Sequence, residues 1–147
     1  MGIDYSELWQ GAAILLALQV TAFYWRIQRE LAMADKREAS WFPFAECLNL
    51  AGILVSLFGV FLLPAVGIGG PRFAQMAFGL VALLFVGHVF ALAGHYELYS
   101  RGKFQSPRSH FPRQEQVVCA IFFFVAVVYI SLWARQDWPQ LTAMLSG

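Results

Sequence analysis

Residues 117–134 read VVCAIFFFVAVVYISLWA, a run of eighteen residues without a charged side chain. A helix needs about 20 apolar residues to cross the hydrocarbon core of a bilayer. Three other runs are also strongly apolar: 8–25, which has no charge, 42–68, which carries Glu46, and 73–94, which carries His88 as its one ionisable group. Because lipid offers the backbone no hydrogen-bond partner, each run is expected to be a helix. The sequence therefore predicts an all-α membrane protein, a single domain over residues 1–147 in which these four runs form a four-transmembrane-helix bundle.

The composition of the chain agrees with this interpretation. Of its 147 residues, 59% are apolar and 13% are charged, whereas a soluble domain has about 45–50% apolar and about 25% charged residues. A net charge of +1 gives no polyanion-binding surface, so we expect no nucleic-acid partner. Cys47 and Cys119 form no CxxC pair, which excludes a disulfide scaffold and a cysteine zinc site. We expect both cysteines to be packing residues.

The lysines and arginines predict the orientation of the bundle. Eight of them flank the two long loops and two lie on the other side, at Arg72 and Arg135. The eight are Arg26, Arg29, Lys36, Arg37, Arg101, Lys103, Arg108 and Arg113. Since basic residues stay on the cytoplasmic side, we expect cytoplasmic basic loops and both termini outside. The membrane is then a bacterial inner membrane or the endoplasmic reticulum.

Small and polar residues share faces within the second and third spans. Glu46, Asn49, Gly52, Ser56 and Gly59 recur at spacings of three and four in the second span. Small residues at this spacing let helices approach closely. One interpretation is a packing seam with Glu46 at the headgroup boundary. The other is that Glu46 lines a polar cavity, because ionisable residues in membranes often mark a functional path.

The third span carries a second set of small residues and two histidines. Its glycines, Gly79, Gly87 and Gly94, are expected to be buried in helix contacts. His88 and His95 are about two turns apart on one helix, so a single chain does not offer the opposed pair that clamps a haem. We therefore predict no metal site. We expect His88 to bond a neighbouring helix and His95 to meet water at the rim.

The segment after the third span holds the residues best suited to chemistry. His95 and Tyr99 are four residues apart, so on a continued helix they lie on one face. A Ser-Pro pair typical of a helix start places Arg108 and Ser109 in the opening turn that follows. The free N–H groups of that turn, together with Arg108, favour an anion such as a carboxylate or a thiolate. The alternative interpretation is that these cations only set the topology.

These residues resemble a pattern in the MAPEG family of membrane proteins. His95-x3-Tyr99 followed by Arg108-Ser109 is similar to the His, Tyr, Arg and Ser that surround glutathione in its prostaglandin E synthases. Arg26 matches a family arginine, and Glu38 is similar to the family's glutamate ahead of a proline. The resemblance implies a trimeric, glutathione-dependent membrane enzyme. It assigns the glutathione peptide to four residues: Arg26, Glu38, His95 and Tyr99.

Two hypotheses of function follow from the sequence. In the first, the protein is a glutathione transferase or peroxidase acting on lipophilic electrophiles, with glutathione as cofactor. The resemblance then implies that Arg108 stabilises the glutathione thiolate and that Ser109 hydrogen-bonds its sulfur. In the second, the bundle is a non-catalytic membrane subunit that binds lipid or partner membrane proteins. Under both, the expected partners are membrane lipids and further copies of the chain, a trimer by the resemblance, or a larger membrane complex.

Overall fold

The computed structural model describes residues 5–35, 43–96, 98–99 and 112–145. Their regular structure is entirely helical, and we label the helices in chain order. They are α1 (Tyr5–Asp35), α2 (Ala45–Ala65), α3 (Pro71–His95) and α4 (Arg113–Leu145). Within this described part of the chain, four helices are long and apolar enough to cross a membrane. The prediction of an all-α fold with four helices able to cross a membrane is confirmed for the described residues, and the orientation of the termini stays a prediction.

Three of the four helices extend beyond the predicted runs, whereas α2 (Ala45–Ala65) is shorter than the run 42–68. α1 continues ten residues past position 25, and α4 starts four residues before position 117. The starting point of α4 matters most, because it brings Glu115 into the first turn of a spanning helix. Uncharged runs underestimate such helices, since charged side chains are tolerated where they find partners inside a bundle.

The second helix is not a uniform α-helix. It is α-helical over Ala45–Val55, becomes a π-helix over Ser56–Leu62, and ends with one turn over Leu63–Ala65. The chain then reverses through Gly67 and Gly69, whose φ angles of 78° and 83° favour glycine. The π segment departs from the regular helix expected of the run 42–68.

Helix α3 lies at the centre of the bundle and contacts each of the other three helices. Its glycines allow this close packing. A Cβ atom on Gly87 would lie 2.8 Å from the ring of Phe122, and one on Gly94 would lie 2.9 Å from the backbone of Gln114, both on α4. On α2, a Cβ on Gly59 would lie 2.7 Å from that of Ala77. The predicted burial of the small-residue faces in helix contacts is confirmed.

The bundle is apolar on the outside and partly polar on the inside. Its outward faces carry large exposed side chains such as Ile14, Phe123 and Phe124. The apolar core is built from small groups, including Ala12, Ala74 and Ala77 beside Leu8 and Val60. Buried polar side chains occupy the rest of the interior. Such a distribution suits a protein that is surrounded by lipid.

Candidate functional site

Seven polar or charged side chains are buried within the bundle. They are Gln19, Glu46, Asn49, Ser56, His88, His95 and Glu115. Most lie toward the end of the bundle where α1 and α3 finish and α2 and α4 begin. We call this the loop end, because it faces residues 36–42 and 100–111 in the chain order. All four helices thus contribute side chains to one polar interior.

Glu115 joins three helices at the loop end. Its Oε1 accepts from the backbone N–H of Ala45 at 2.7 Å, and its Oε2 accepts from Nδ1 of His95 at 2.8 Å. Ala45 is the first residue of α2, so its N–H has no partner within that helix. A carboxylate from the first turn of α4 thus caps α2 and holds the last residue of α3. Both carboxylate oxygens are used.

His88 holds α2 from the other side of the same residue. Its Nδ1 lies 3.2 Å from the carbonyl oxygen of Ala45. Because a carbonyl oxygen only accepts, Nδ1 carries the proton and the imidazole donates. The expectation that His88 bonds a neighbouring helix is confirmed. The start of α2 is therefore fixed through both its N–H and its C=O.

A polar seam runs between α1 and α2. Asn49 donates from Nδ2 to the backbone carbonyl of Gln19 at 3.1 Å. The amide of Gln19 occupies the space left by Gly52, where a Cβ would lie 2.1 Å from its Nε2. Glu46, only 1% exposed, lies in the first turn of α2 and shares this interior. The structure supports the packing-seam interpretation of Glu46, which is buried among polar groups near the start of α2 and lines neither of the two grooves described below.

Several atoms of this seam lack a protein partner in the described part of the chain. They include both amide atoms of Gln19, Oε2 of Glu46, Oδ1 of Asn49 and Oγ of Ser56. Leaving a buried polar group unsatisfied costs about 1–3 kcal/mol. The seam is therefore retained at an energetic cost, which is typical of residues kept for more than packing.

Two arginines of α1 meet a tyrosine at the loop end. Arg26 hydrogen-bonds the hydroxyl of Tyr96 through NH1 and pairs with Glu30 at 2.5 Å. Arg29 stacks on the same tyrosine, with its guanidinium carbon 4.5 Å from the ring centroid. Arg26 thus has an acidic partner, and it also interacts electrostatically with Glu46. Arg29 forms no ion pair with an acidic side chain among the described residues, so its charge is uncompensated by direct contact.

The predicted glutathione residues divide into two groups. Arg26, His95 and Tyr99 are described, whereas Glu38, Arg108 and Ser109 lie outside the described residues. The expectation that His95 and Tyr99 share one helical face is wrong, because α3 ends at His95. His95 does not meet water at the rim either, since it is 1% exposed and bonds Glu115. A carboxylate inside the bundle draws the imidazole inward.

Tyr99 lies at the surface and closes the end of α3. Its hydroxyl donates to the carbonyl oxygen of Phe90 at 2.8 Å, and partial burial raises the pKa of its phenol above the usual value of 10. Its backbone N–H donates to Oε1 of Gln114 on α4 at 3.2 Å. This last bond joins the two flanks of residues 100–111. The described residues on either side of positions 100–111 are therefore held together at the loop end.

An apolar groove of about 590 Å³ runs between α1 and α3. This volume is within the range of about 300–1,000 Å³ that is usual for small-molecule sites. The α1 wall includes Leu18, Thr21 and Trp25, and the α3 wall includes His88 and Val89. Tyr96 and Leu98 continue the lining toward the loop end. Since Leu18, Trp25, Val89 and Leu98 are all about half exposed or more, the groove opens sideways, toward the position of the lipid.

A smaller groove of about 400 Å³ lies between α2 and α4. Cys47 and Cys119 both line it, together with Phe44, Leu48 and Phe123. Cys119 is buried in a cluster with Ala45 and Ala91, as expected of a packing residue. Cys47 is exposed, so the expectation that it packs in the interior is wrong.

Sequence reasoning missed three members of the site: Gln19, Tyr96 and Glu115. Glu115 follows a proline at the start of a helix, where an acidic residue usually complements the helix dipole in water. Gln19 is a single amide in an otherwise apolar run, and this was the one available signal. Tyr96 directly follows His95 and belongs to no sequence motif that would have indicated its contacts.

No protein-family model, curated protein or solved structure matches this chain. The four described helices have the length and hydropathy of membrane-spanning helices. None of these comparisons bears on the resemblance to the MAPEG family.

Proposed function

We propose that this protein is an integral membrane protein that binds a lipophilic molecule in the groove between α1 and α3. The observation that carries this proposal is the groove itself, an apolar volume of about 590 Å³ between two spanning helices and open to their sides. In a bilayer such a surface is in contact with acyl chains, so an apolar ligand enters without crossing water. This is the lipid-binding function considered from the sequence.

The ligand is expected to be amphiphilic. Most of the lining is hydrophobic or aromatic, but Thr21 on the α1 wall, His88 on the α3 wall and Tyr96 add a few polar atoms. His88 is held through Nδ1 by a backbone carbonyl, which fixes the orientation of its ring. A few fixed polar groups in an apolar wall are what orient ligands in small-molecule sites.

A neutral long-chain alcohol that carries a diazirine and an alkyne tests the proposal. Irradiation in nanodiscs should label groove-lining peptides, and an excess of unlabelled alcohol should suppress this labelling. Ala93→Phe fills the groove and should abolish the competed labelling. Ala13→Phe adds the same bulk to an exposed position of α1 outside the groove and should leave it unchanged. Labelling that does not saturate, or that is equal in the two variants, contradicts the proposal.

Glutathione-dependent chemistry on a lipophilic ligand is the second candidate function. The observation that favours it is the bond between Tyr99 and Gln114, because these residues flank positions 100–111 in the chain and Tyr99 directly follows Leu98 of the groove. Glutathione would supply a thiol nucleophile. Arg108 would bind the anionic form of that thiol and Ser109 would hydrogen-bond it. In this proposal the copies form a trimer, and both basic loops face the cytoplasm.

The described residues fit glutathione in part. Tyr99 lies at the loop end within reach of water, since it is 50% exposed, whereas the side chain of Arg26 is only 9% exposed and its buried Nε has no partner among the described residues. His95 does not fit a contact with a water-soluble tripeptide, because it is buried and committed to Glu115. Any glutathione site therefore depends mainly on Arg108 and its neighbours.

A pH titration of thiolate absorbance tests this candidate directly. Purified protein with glutathione should show a thiolate signal that Arg108→Ala abolishes without changing the helical content. Arg101→Ala removes the same charge from the same segment and should have little effect. Equal small losses in both variants would mean that only diffuse charge matters. Absence of a thiolate signal in the parent protein rules the candidate out in favour of the non-catalytic function.

A further inference from the structure

The groove between α1 and α3 ends beside the two arginines of α1. Tyr96 lines the groove, and the same residue contacts both Arg26 and Arg29. The side chain of Arg26 is only 9% exposed, and its Nε has no partner within the described residues. The apolar groove thus leads to a corner of the bundle with Arg26 and Arg29, and the Nε of Arg26 is a hydrogen-bond donor without a partner among the described residues.

The depth of this corner corresponds to the headgroup layer. Arg26 is 21 residues from Tyr5, the first residue of the span, which is a rise of about 31 Å along a helix. The hydrocarbon core of a bilayer is about 30 Å thick. The lower part of the groove, around Leu18 and Phe85, is therefore at acyl-chain depth. An occupant that follows the groove has its tail in the core and its polar end at the arginines.

The charges at the corner specify the sign of that polar end. Arg26 is paired with Glu30 at 2.5 Å, which compensates one of the two guanidinium groups. Arg29 stacks flat on Tyr96, an arrangement that holds the cation in place without neutralising it. One positive charge is thus available at the mouth of an apolar groove. Basic pockets between spanning helices are suited to anionic lipid headgroups.

We infer that the groove is a binding site for an anionic glycerophospholipid of the surrounding bilayer, with its phosphate-bearing headgroup at Arg29 and one acyl chain along Leu18 and Phe85. This inference rests on the proposed function of the groove. It adds the chemical class of the ligand and a residue that selects it. A phospholipid is favoured over a soluble anion because the groove opens toward the lipid and has few polar atoms along most of its length.

Two photoactivatable phospholipids with the same diazirine-bearing chain provide the test. Phosphatidylglycerol and phosphatidylcholine differ in headgroup charge and are added in equal trace amounts to phosphatidylcholine nanodiscs that contain the protein. One arginine near a membrane surface changes anionic lipid binding by about fivefold. We expect phosphatidylglycerol to label groove peptides at least about five times more than phosphatidylcholine does.

Substitutions test whether the preference for phosphatidylglycerol depends on Arg29. Arg29→Gln should reduce the labelling ratio to about one while phosphatidylcholine labelling stays the same. Arg29→Lys keeps the charge and should retain most of the preference. Arg113→Gln is the matched control, because it removes an exposed charge at the same end of the bundle. If Arg29→Gln does not fold, the labelling ratio in the parent protein and in Arg29→Lys still decides whether the groove prefers an anionic headgroup.

The outcomes separate this inference from the proposed function. Equal labelling of the groove by both lipids overturns the headgroup preference and leaves lipid binding intact. A groove that neither phospholipid nor the neutral alcohol labels overturns both. Displacement of phosphatidylglycerol by an equimolar free fatty acid overturns the assignment to a phospholipid. An equal loss of preference in Arg113→Gln and Arg29→Gln overturns the role of Arg29.

Discussion

Replacing Glu115 by alanine removes the side chain that fastens three helices at the loop end. In the parent protein its two oxygens accept from Ala45 at 2.7 Å and from His95 at 2.8 Å. Glu115 and Ala45 are fully buried, and His95 is 1% exposed. After the substitution, neither donor can turn to water without opening the bundle. The variant should fold less stably rather than adopt a different structure.

The loss can be estimated from the two donors. A buried donor without a partner costs about 1–3 kcal/mol, so the pair costs about 2–6 kcal/mol. Glu115→Gln keeps the shape and one accepting oxygen, and it should cost about half as much. Glu7→Ala is the control, because Glu7 is an exposed acid in the first turn of α1. Its effect should stay within about 0.5 kcal/mol.

Cys119 supplies the measurement, since it is buried one turn after Glu115. In a Cys47→Ala background, a thiol-reactive dye reports the exposure of Cys119 as the protein is heated or titrated with denaturing detergent. The order of stability should be parent, then Glu115→Gln, then Glu115→Ala. In the double variant with His95→Ala, the losses should not add, with a coupling of at least about 0.5 kcal/mol. A Glu115→Ala protein within 0.5 kcal/mol of the parent would refute the reasoning.

Three further predictions concern other parts of the bundle. Gly87→Leu should destabilise the fold because a phenyl ring lies 2.8 Å from its added Cβ, whereas Gly70→Leu points into open space and should be tolerated; thermal unfolding compares the two. Tyr99→Phe should cost at most about 1.5 kcal/mol for its exposed bond to Phe90. The pKa of the Tyr99 phenol is raised in the folded protein, so the unfolded chain loses this proton first. The parent protein should therefore lose stability as the pH rises from about 10 through the folded pKa, and Tyr99→Phe should lose less. Finally, Ser106→Cys without the native cysteines should label only from the cytoplasm, and labelling only from outside in intact cells would overturn the orientation.

The spans could be predicted because their signal is local. Eighteen uncharged residues in a row specify a spanning helix whatever their neighbours are, so all four helices were found. The glycine faces were also predictable, since spacings of three and four place Gly52 and Gly59 on one side of a helix. The predicted helix ends were less accurate. Glu115 interrupts the apolar run, and it fits inside the bundle only because it accepts hydrogen bonds from Ala45 and His95, which the sequence does not display.

The candidate site was harder to predict for the same physical reason. His95 has the same residue type and spacing whether it faces water or Glu115, and only tertiary packing decides between them. The groove depends on where α1 meets α3, which no motif encodes. Arg26 was identified by resemblance, but its contact with Tyr96 depends on helix placement.

The π segment of α2 makes the number of residues in this helix important for the architecture. A wide turn takes up extra residues, so it acts as a built-in insertion relative to a regular α-helix. Deleting one residue from 56–62 would let this segment return to α geometry, and because the wide turn had absorbed that residue, the two halves of α2 would keep their relative orientation. Glu46 precedes the segment and Gly59 lies within it, so the polar seam can be retained together with the contact to Ala77. In homologues, a one-residue gap at this place should therefore be accompanied by a regular α-helix and by retention of the polar seam.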